Sequence, residues 1–439
     1  MTASTITKID LSDPHFRATA FDTYADLRRR EPVSRVAFRF GEEPEAVVGA
    51  PADTPEEANA RRAMMESDVF FITGYDDAVA ALLDDRLAVD FQTAMTEEQK
   101  AQLPETPEAF RPLQRSLLSV DPPDHTRLRR LVQPSFSNRA MEALKPRIQQ
   151  IADDLLDTAE REAAARGESA PDRLMNLNEG YAFPLPMQVI CEMLGVPDAD
   201  HDRIRHWTDS LLGAQRSQSE QIQADLRAFI DYLRELFAAK RRQPTDDITS
   251  SLVHAEDGGD RLSEDELLSM VFLLIVAGHV TTVNLIGSAV YALLAHPDEL
   301  AKLRSDPTLA KAAVEEALRY YGPAETTTLR FAHEAVNIGG IEIGKGEKVI
   351  VGLGSADRDP ARFPEPDQFL LNRPEVNRHI AFGKGIHACL GAPFARLEGQ
   401  IALAALFGRF PELRLGVPIE EISWRPGFLR GLEALTVRF

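Results

Sequence analysis

The segment FGKGIHACLG, residues 382–391, surrounds one cysteine, Cys389, with three glycines. Apolar periodicity begins near Leu390 and predicts a helix there, which puts the thiol at the amino end of that helix. Backbone N–H groups and the partial positive charge at a helix amino terminus stabilise a thiolate. Glycines permit tight turns and let backbone approach a flat ligand closely. A small buried hydrophobe is the simpler interpretation of a lone cysteine, and it fits Cys191, which has none of these neighbours.

The longest helix signal runs from Ser263 to the residue before Pro297. The sequence SEDE at its start offers an N-cap serine with Glu266 three residues later, the pattern of a capping box. A proline ends the helix because it cannot continue the hydrogen-bonded ladder. About 33 residues at 1.5 Å each give roughly 50 Å, enough to cross a whole domain.

The segment LLIVAGHVTT, residues 273–282, lies at the centre of that helix and mixes glycine and threonine into an apolar run. Glycine costs about 1 kcal/mol in a helix interior, and buried hydroxyls need partners. Helical spacing puts Ala277, Gly278 and Thr281 on one face. Taken alone, the pattern is also explained by a packing notch whose threonines bond to the preceding turn.

Composition describes a globular protein of 439 residues, 44% hydrophobic and 27% charged. The net charge of −20 and the lack of a compact Lys/Arg run disfavour nucleic-acid binding. The amino terminus lacks the regions of a signal peptide, and we expect no window of the apolar length needed to span a bilayer. These features predict a soluble cytoplasmic protein without membrane contact.

The chain reads as a single domain, 1–439, that is mainly α with minor β. Residues 32–40 and 68–73 are rich in Val, Phe and Ile and predict two strands. The acidic segment between them, 41–67, predicts a loop insertion. Gly-Gly and Gly-Lys-Gly divide the β-rich run 336–352 as hairpin turns would, and a short strand pair is expected at 434–439.

FGKGIHACLG resembles the haem-binding loop of the cytochromes P-450, whose cysteine thiolate is the axial iron ligand. The resemblance implies that Cys389 ligates the iron of haem b, that Phe382 and Gly383 flank the cofactor, and that His387 bonds a propionate. It also implies the family's fold, a helical prism with small β-sheets and a long central helix. The haem would lie between that helix and the cysteine loop.

VEEALRYYGP contains Glu316 and Arg319, an i,i+3 pair that by itself is usually a surface ion pair of little consequence. It resembles the family's ExxR element on the proximal side. The resemblance makes Arg373, in FLLNRPEV, the third member, although Leu370 stands where the family often has an acid.

In DPPDHTRLRR, Asp121 is the predicted N-cap and Pro122 the first helical residue. His125 and Arg129 then share one face, which a solvated basic surface also explains. The segment resembles the family's HxxxR element, and Arg330 in TTTLRFA matches its propionate arginine on a strand. The resemblance therefore implies that these three side chains pair with the haem propionates.

The family resemblance also assigns the central helix to an oxygen groove, formed here by Ala277, Gly278, Thr281 and Thr282. Val280 departs from the pattern, because the family normally has Asp or Glu before the threonine. Valine cannot carry a proton. We therefore expect protons to arrive by a water chain, through substrate groups, or by way of His279 or Asn284.

The substrate is expected on the distal side, where mostly apolar or small residues favour an apolar small molecule. Candidate contacts are Leu273, Ala324, Thr327 and Phe428. A basic proximal patch for an acidic ferredoxin has four candidate members, each of which could equally be an ordinary solvated residue: Arg127, Arg130, Lys384 and Arg396.

The implied function is hydroxylation or epoxidation of an apolar small molecule, a product of secondary metabolism, with O2 and electrons from ferredoxin and NAD(P)H–ferredoxin reductase. The protein would position the substrate and deliver protons, and the haem would supply the iron chemistry. A peroxide-driven peroxygenase and a non-catalytic haem-binding protein are the alternatives.

Overall fold

The computed structural model describes residues 6–39, 66–95, 97–101, 108–212, 219–257 and 259–439. Helices dominate this part of the chain. They are α1 (Pro14–Arg30), α2 (Tyr75–Leu83), α3 (Phe91–Ala94), α4 (Glu97–Ala101), α5 (Asp124–Val132), α6 (Asn138–Ala165), α7 (Pro184–Met193), α8 (His201–Leu212), α9 (Ser219–Arg242), α10 (Ile248–Val253), α11 (Glu264–Ala295), α12 (Pro297–Ser305), α13 (Ala310–Tyr321), α14 (Leu353–Ala356) and α15 (Ala392–Arg409).

The strands are short and form small sheets. They are β1 (Thr7–Asp10), β2 (Val33–Arg39), β3 (Glu66–Ile72), β4 (Leu87–Ala88), β5 (Leu174–Asn176), β6 (Glu256–Asp257), β7 (Asp260–Arg261), β8 (Arg330–Ala332), β9 (Val336–Ile338), β10 (Ile341–Ile343), β11 (Lys348–Val351), β12 (Arg414–Leu415) and β13 (Thr436–Arg438). The largest sheet has the order β1-β2-β3-β11-β8-β4. The predicted class, mainly α with minor β, is therefore confirmed.

The two strands predicted early in the chain are β2 and β3, and they pair antiparallel from Val33 opposite Ile72 to Arg39 opposite Glu66. The predicted insertion at 41–67 lies outside the described residues, apart from its last two positions. Those two positions belong to β3.

One of the two predicted hairpin turns is wrong. Gly339 and Gly340 do turn between β9 and β10, which pair antiparallel. After Gly344–Gly346, however, β11 pairs with β3 and β8 instead of folding back on β10. The reason is burial: Val349 and Ile350 on β11 are both fully buried, and a strand covered on both faces belongs in the middle of a sheet.

The segment 434–439, predicted to hold a short strand pair, contains one strand, β13. Its partners are β12 and β5, both antiparallel. The strand therefore closes a three-stranded sheet with earlier parts of the chain.

Helix α11 is the central element. It has the predicted capping box, because the Ser263 side chain accepts the Glu266 N–H and the Glu266 side chain accepts the Ser263 N–H. It ends at Ala295, two residues before Pro297, as predicted. It packs against α7, α13 and α15 inside the largest hydrophobic cluster.

The expectation that no window could span a bilayer is wrong for α11. By length and composition the 32-residue helix Glu264–Ala295 is long and apolar enough to cross a membrane. Within the fold, 56% of its most apolar 18-residue window is buried. Its apolar character is thus explained by packing as a core helix.

Candidate active site

The cysteine loop is a compact turn before α15. The Cys389 N–H donates to the carbonyl oxygen of Phe382 at 2.9 Å and closes the loop. Gly383 and Gly385 have φ of +68° and +76°, a region that other residues rarely enter. A Cβ at Gly385 would lie 2.7 Å from the carbonyl oxygen of Leu82. Glycine is therefore required there by both conformation and space.

Cys389 lies three residues before α15, so the predicted placement at the amino end of a helix is correct, although the helix begins at Ala392. The residue has accessible surface, yet burial raises the pKa of its thiol. Accessible surface and a pKa raised by burial are both expected for a thiol at the bottom of a hollow. The backbone N–H groups of Gly391 and Ala392, with the charge of Arg129, act to lower the same pKa.

Cys191 shows the opposite surroundings. It is fully buried on α7, and burial raises the pKa of its thiol to about 12. Its sulfur contacts the sulfur of Met187 at 3.9 Å. These surroundings are those of a small core hydrophobe.

Behind the loop, Arg396 on α15 lies over the Phe382 ring, 4.6 Å from its centroid. Arg396 also donates to Glu315 at 2.6 Å, and His379 lies 3.0 Å from the same carboxylate. Burial acts to raise the pKa of Glu315, but the hydrogen bonds from His379 and Arg396 lower it to about 2. Arg396 therefore forms an ion pair within the protein. Sequence reasoning missed His379 and Glu315, because neither has a local signal.

His125 and Arg129 share one face of α5, as predicted, and that face meets the cysteine loop. Arg129 donates to the carbonyl oxygens of Ile386 and Ala388 at 2.8 and 3.0 Å. The rings of His125 and His387 lie 4.4 Å apart. Burial, followed by the charges of His387 and Arg129, lowers the pKa of His125 to about 4, so its ring is neutral at pH 7.

The prediction of Asp121 as N-cap is wrong. Helix α5 begins at Asp124. Pro123 has no N–H to donate to an N-cap side chain. The Asp121 carboxylate instead accepts the N–H groups of Val89 and Asp90 at 2.9 and 2.8 Å. It lies 3.4 Å from Nε2 of His387.

Arg330 on β8 joins this neighbourhood. It donates to the carbonyl oxygen of Leu87 at 3.2 Å, and burial lowers the pKa of its guanidinium while Asp121 raises it. Within the described residues, three buried nitrogen atoms here have no hydrogen-bond partner. They are Nε2 of His125, Nδ1 of His387 and Nε of Arg330.

The predicted ExxR pair and its third member meet in the core. Arg319 donates to Glu316 at 2.7 and 2.8 Å, and Arg373 donates to both oxygens of the same carboxylate at 3.0 Å. Both ion pairs are almost fully buried. Leu370, at the position where an acid was expected, contributes its backbone N–H to Glu316 at 2.9 Å.

The middle of α11 opens on one side only. Thr281 donates to the carbonyl oxygen of Ala277 at 2.7 Å, and Thr282 donates to that of Gly278 at 3.1 Å. Ala277 is exposed although most of the helix is buried, and Thr282 is buried. Open space therefore adjoins Ala277 and Thr281.

Gly278, predicted on the same face as Ala277 and Thr281, is partly accessible and also lies close to α7. A Cβ at Gly278 would lie 3.1 Å from Cδ1 of Ile190 on α7. Gly278 thus permits close packing of two helices.

Neither side chain considered for proton transfer lies on the open face. His279 is 1% exposed, its Nδ1 is 2.9 Å from the carbonyl oxygen of Ile275, and its ring packs edge-on against Phe183. Asn284 is buried against Gly431, where a Cβ would lie 2.1 Å from its Oδ1.

Three of the candidate substrate residues lie in two adjacent segments. Ala324 forms a β-bridge with Leu429, the neighbour of Phe428. Thr327 donates its N–H to the carbonyl oxygen of Val351, and its hydroxyl accepts the Val351 N–H at 3.1 Å. The fourth candidate, Leu273, is half-buried on α11, about one turn before Ala277.

Two of the four residues predicted for a basic patch form ion pairs. Arg127 pairs with Glu266 and Asp260, and Arg396 pairs with Glu315. Arg130 and Lys384 are exposed.

A surface cavity of about 820 Å³ adjoins the exposed Arg130. Its walls come from the segments 125–137 and 385–386, and they include Arg130 and Ile386. Ile386 is 47% exposed. This face therefore combines a cation with an exposed apolar side chain.

Residues 185–429 match the family described as Cytochrome P450. The chain is 48% identical to Cytochrome P450 107B1 of Saccharopolyspora erythraea over 374 residues, 84% of this chain and 89% of that protein. It is 38% identical to 6-deoxyerythronolide B hydroxylase of the same organism over 434 residues, 98% of both chains. The solved structure of the Bacillus subtilis bacillaene polyketide synthase cytochrome P450 PksS is similar at a TM-score of 0.83 and 38% identity, covering 98% of this chain and 99% of that one. The chain therefore belongs to the cytochrome P450 family and is a monooxygenase whose cofactor is haem b.

Proposed function

We propose that the chain holds haem b through Cys389 and hydroxylates or epoxidises an apolar small molecule of secondary metabolism. The observation that carries this proposal is the surroundings of Cys389. An accessible sulfur lies in a glycine-rich loop and faces two backbone N–H donors. These donors favour the thiolate, the form of cysteine that binds a metal.

The residues around the loop fit the two propionates of a haem. Carboxylate oxygens would satisfy the three buried nitrogens without partners, on His125, His387 and Arg330. Arg129 would add a charge at the same edge while it fixes the loop carbonyls. Phe382 and Gly383 would lie beside the bound haem.

The bound haem would supply the activation of O2, and the chain's own residues would shape the space beside it. The open face of α11 at Ala277 and Thr281 would lie across the hollow from Cys389. Thr281 holds a proton at Oγ1, directed to the Ala277 carbonyl. Thr282 and Gly278 would support this face by packing inside the protein rather than by contact with the bound small molecules. The Glu316, Arg319 and Arg373 cluster would brace the proximal side.

The substrate would contact the segments 323–328 and 427–430 together with Leu273. Ala324 and Phe428 offer apolar surface, and the Thr327 hydroxyl retains its proton for a substrate oxygen. Relatives named for 6-deoxyerythronolide B and for bacillaene polyketide synthase support a polyketide or a similar apolar natural product.

Ferredoxin and NAD(P)H–ferredoxin reductase would supply the electrons, with docking near Arg130 and Lys384. The same proposal takes residues 1–439 as a single domain. It also places the protein in the cytoplasm, where these redox partners act.

The first experiment reduces the purified haem protein and adds CO. A red-shifted Soret band marks thiolate ligation. We expect this band in the wild type and in Cys191→Ala, and we expect it to be lost in Cys389→Ser. A band typical of histidine ligation in the wild type would overturn the assignment of Cys389.

The second experiment screens a panel of macrolactones and linear polyketides for the spin-state shift that displacement of water from iron produces. Hits are then incubated with ferredoxin, its reductase and NAD(P)H, and products are identified by mass. Hydroxylated or epoxidised products are expected. Binding without product from any hit would contradict the proposed reaction.

A peroxide-driven reaction is the second candidate function. It is favoured by Val280, because the residue directly before Thr281 is not an acid. Turnover with hydrogen peroxide is compared with turnover through the redox partners. Product formed only with peroxide, across several ferredoxins, would replace the main proposal.

A further inference from the structure

A buried cluster of one acid and two arginines joins three distant parts of the chain. Glu325 accepts from Arg17 on α1 and from Arg430 near the carboxyl terminus, each at 2.5 Å. The three residues are at most 1% exposed. Burying charges is costly unless they are paired, so this cluster imposes a definite arrangement on the segments that carry it.

The backbone around Glu325 and Arg430 is joined as well. The Arg430 N–H donates to the carbonyl oxygen of Pro323 at 2.7 Å, and Ala324 forms a β-bridge with Leu429. The Gly354 N–H donates to the carbonyl oxygen of Glu325 at 2.9 Å. The ion pair thus lies behind the contact between the segments 323–328 and 427–430.

The charges of the cluster do not balance. Two guanidinium groups share one carboxylate, and within the described residues Nε and Nη2 of Arg17 and Nε of Arg430 have no hydrogen-bond partner. Burial acts to raise the pKa of Glu325, but Arg430 and Arg17 lower it below its usual value. Removal of one arginine leaves a neutral pair, whereas removal of Glu325 leaves two buried cations. The arginine variants are therefore the ones expected to fold.

Arg430 is also held from the side by aromatic rings. Its guanidinium lies 3.8 Å from the ring centroid of Trp424 and 4.8 Å from that of Phe21. Such contacts fix the direction of the side chain. The pair with Glu325 is consequently a rigid link rather than a mobile surface contact.

We propose that the ion pair between Glu325 and Arg430 positions the substrate-facing walls of the active site and so sets how tightly, and in which orientation, a substrate is held. The inference rests on the proposed function, because it takes 323–328 and 427–430 as walls of the substrate site. Glu325 and Arg430 are positioning residues that act through Ala324, Thr327 and Phe428.

The test compares Arg430→Met, Arg430→Lys and the control Arg358→Met in the haem-loaded protein. Arg358 is also a buried arginine packed on Phe21, 3.8 Å from its ring centroid, but it bonds the carbonyl oxygen of Tyr320. Two probes are titrated optically. Imidazole reports access to the iron, and clotrimazole carries a bulky triaryl group that also reaches the walls.

We expect Arg430→Met to weaken clotrimazole binding by roughly fivefold or more while imidazole binding stays within about twofold. Arg430→Lys retains the charge but loses the planar guanidinium stacked on Trp424, so its clotrimazole affinity should lie between those of Arg430→Met and the wild type. Arg358→Met should lower the melting temperature without changing either affinity. Amide exchange in 323–328 and 427–430 should accelerate in Arg430→Met alone.

Equal clotrimazole affinity in Arg430→Met and the wild type would overturn the inference, as would equal weakening in Arg358→Met. Failure of the proposed function gives a different result. In that case the wild type itself lacks the thiolate CO band or shows no optical shift with imidazole.

Discussion

The hydroxyl of Thr281 donates to the carbonyl oxygen of Ala277, one turn earlier, at 2.7 Å in the middle of α11. A threonine bonded to the carbonyl four residues earlier has its hydroxyl held against the helix backbone, and Thr281 is only partly buried. The pair therefore fixes the position of the Thr281 hydroxyl oxygen, whose proton is directed to the Ala277 carbonyl, at one point of the proposed active site.

Replacement of Thr281 by valine retains the shape and removes the hydroxyl. We expect product formed per NAD(P)H to fall about two- to tenfold, the effect of one hydrogen bond worth about 0.5–1.5 kcal/mol. Thr281→Ser keeps the hydroxyl and should retain most of the product yield. Equal yields from the valine and serine variants would show that the hydroxyl has no role in proton transfer.

Ala277 and Gly278 are neighbours in sequence but face different surroundings. Ala277→Val adds two methyl groups beside the open space, and we expect imidazole binding to weaken roughly tenfold through overpacking. Gly278→Ala meets Ile190 instead and should leave imidazole affinity unchanged. Its effect on stability should stay within about 1 kcal/mol, because the gain in helix propensity opposes the crowding. Weaker imidazole binding in Gly278→Ala alone would contradict this assignment of faces.

Val280 stands where the family has an acid, and the two polar neighbours on the helix point elsewhere. Val280→Glu should raise the rate of product formation by up to roughly 10²-fold, the lower end of what a positioned acid contributes. His279→Gln should leave the product yield unchanged, since His279 bonds Ile275 and packs on Phe183. An unchanged yield and rate in Val280→Glu would show that position 280 does not limit proton delivery.

Local signals in the sequence predicted local structure well. Ser263 and Glu266 lie three residues apart, so the capping box that starts α11 depends only on neighbouring residues. The turn at Gly339 and the loop around Cys389 follow equally from glycines at fixed spacing. In each case the interaction closes within a few residues, and the sequence contains all of it.

Contacts between residues that are far apart in the sequence could not be predicted from local patterns. Spacing alone could not reveal that Gly278 meets Ile190 or that Asp121 accepts the Val89 N–H, because each contact depends on how separate elements pack. The clusters of Glu315 with His379 and of Glu325 with Arg430 are of the same kind. The family resemblance supplied candidates for the haem site, but it gave no signal for these partners.

Glu398 on α15 is a buried carboxyl group, and no charged side chain pairs with it in the part of the chain that the structure describes. It is 4% exposed, its Oε2 has no hydrogen-bond partner among the described residues, and burial raises its pKa to about 8 from the usual 4.5. The folded protein thus keeps a proton on Glu398 at neutral pH, and unfolding releases it.

Stability should therefore decrease as pH rises from about 4.5 to about 8 and become independent of Glu398 above that range. Glu398→Gln has no proton to lose and should remove this slope. At pH 8 we expect the variant to be more stable than the wild type by on the order of 4 kcal/mol, with a difference of less than about 1 kcal/mol at pH 5. Urea midpoints at pH 5, 6.5 and 8, followed by haem absorbance and circular dichroism, measure the effect. Asp231→Asn, at a highly exposed carboxylate, is the matched control and should show no change. A difference between Glu398→Gln and the wild type that is the same at all three pH values would mean that Glu398 is ionised in the folded protein.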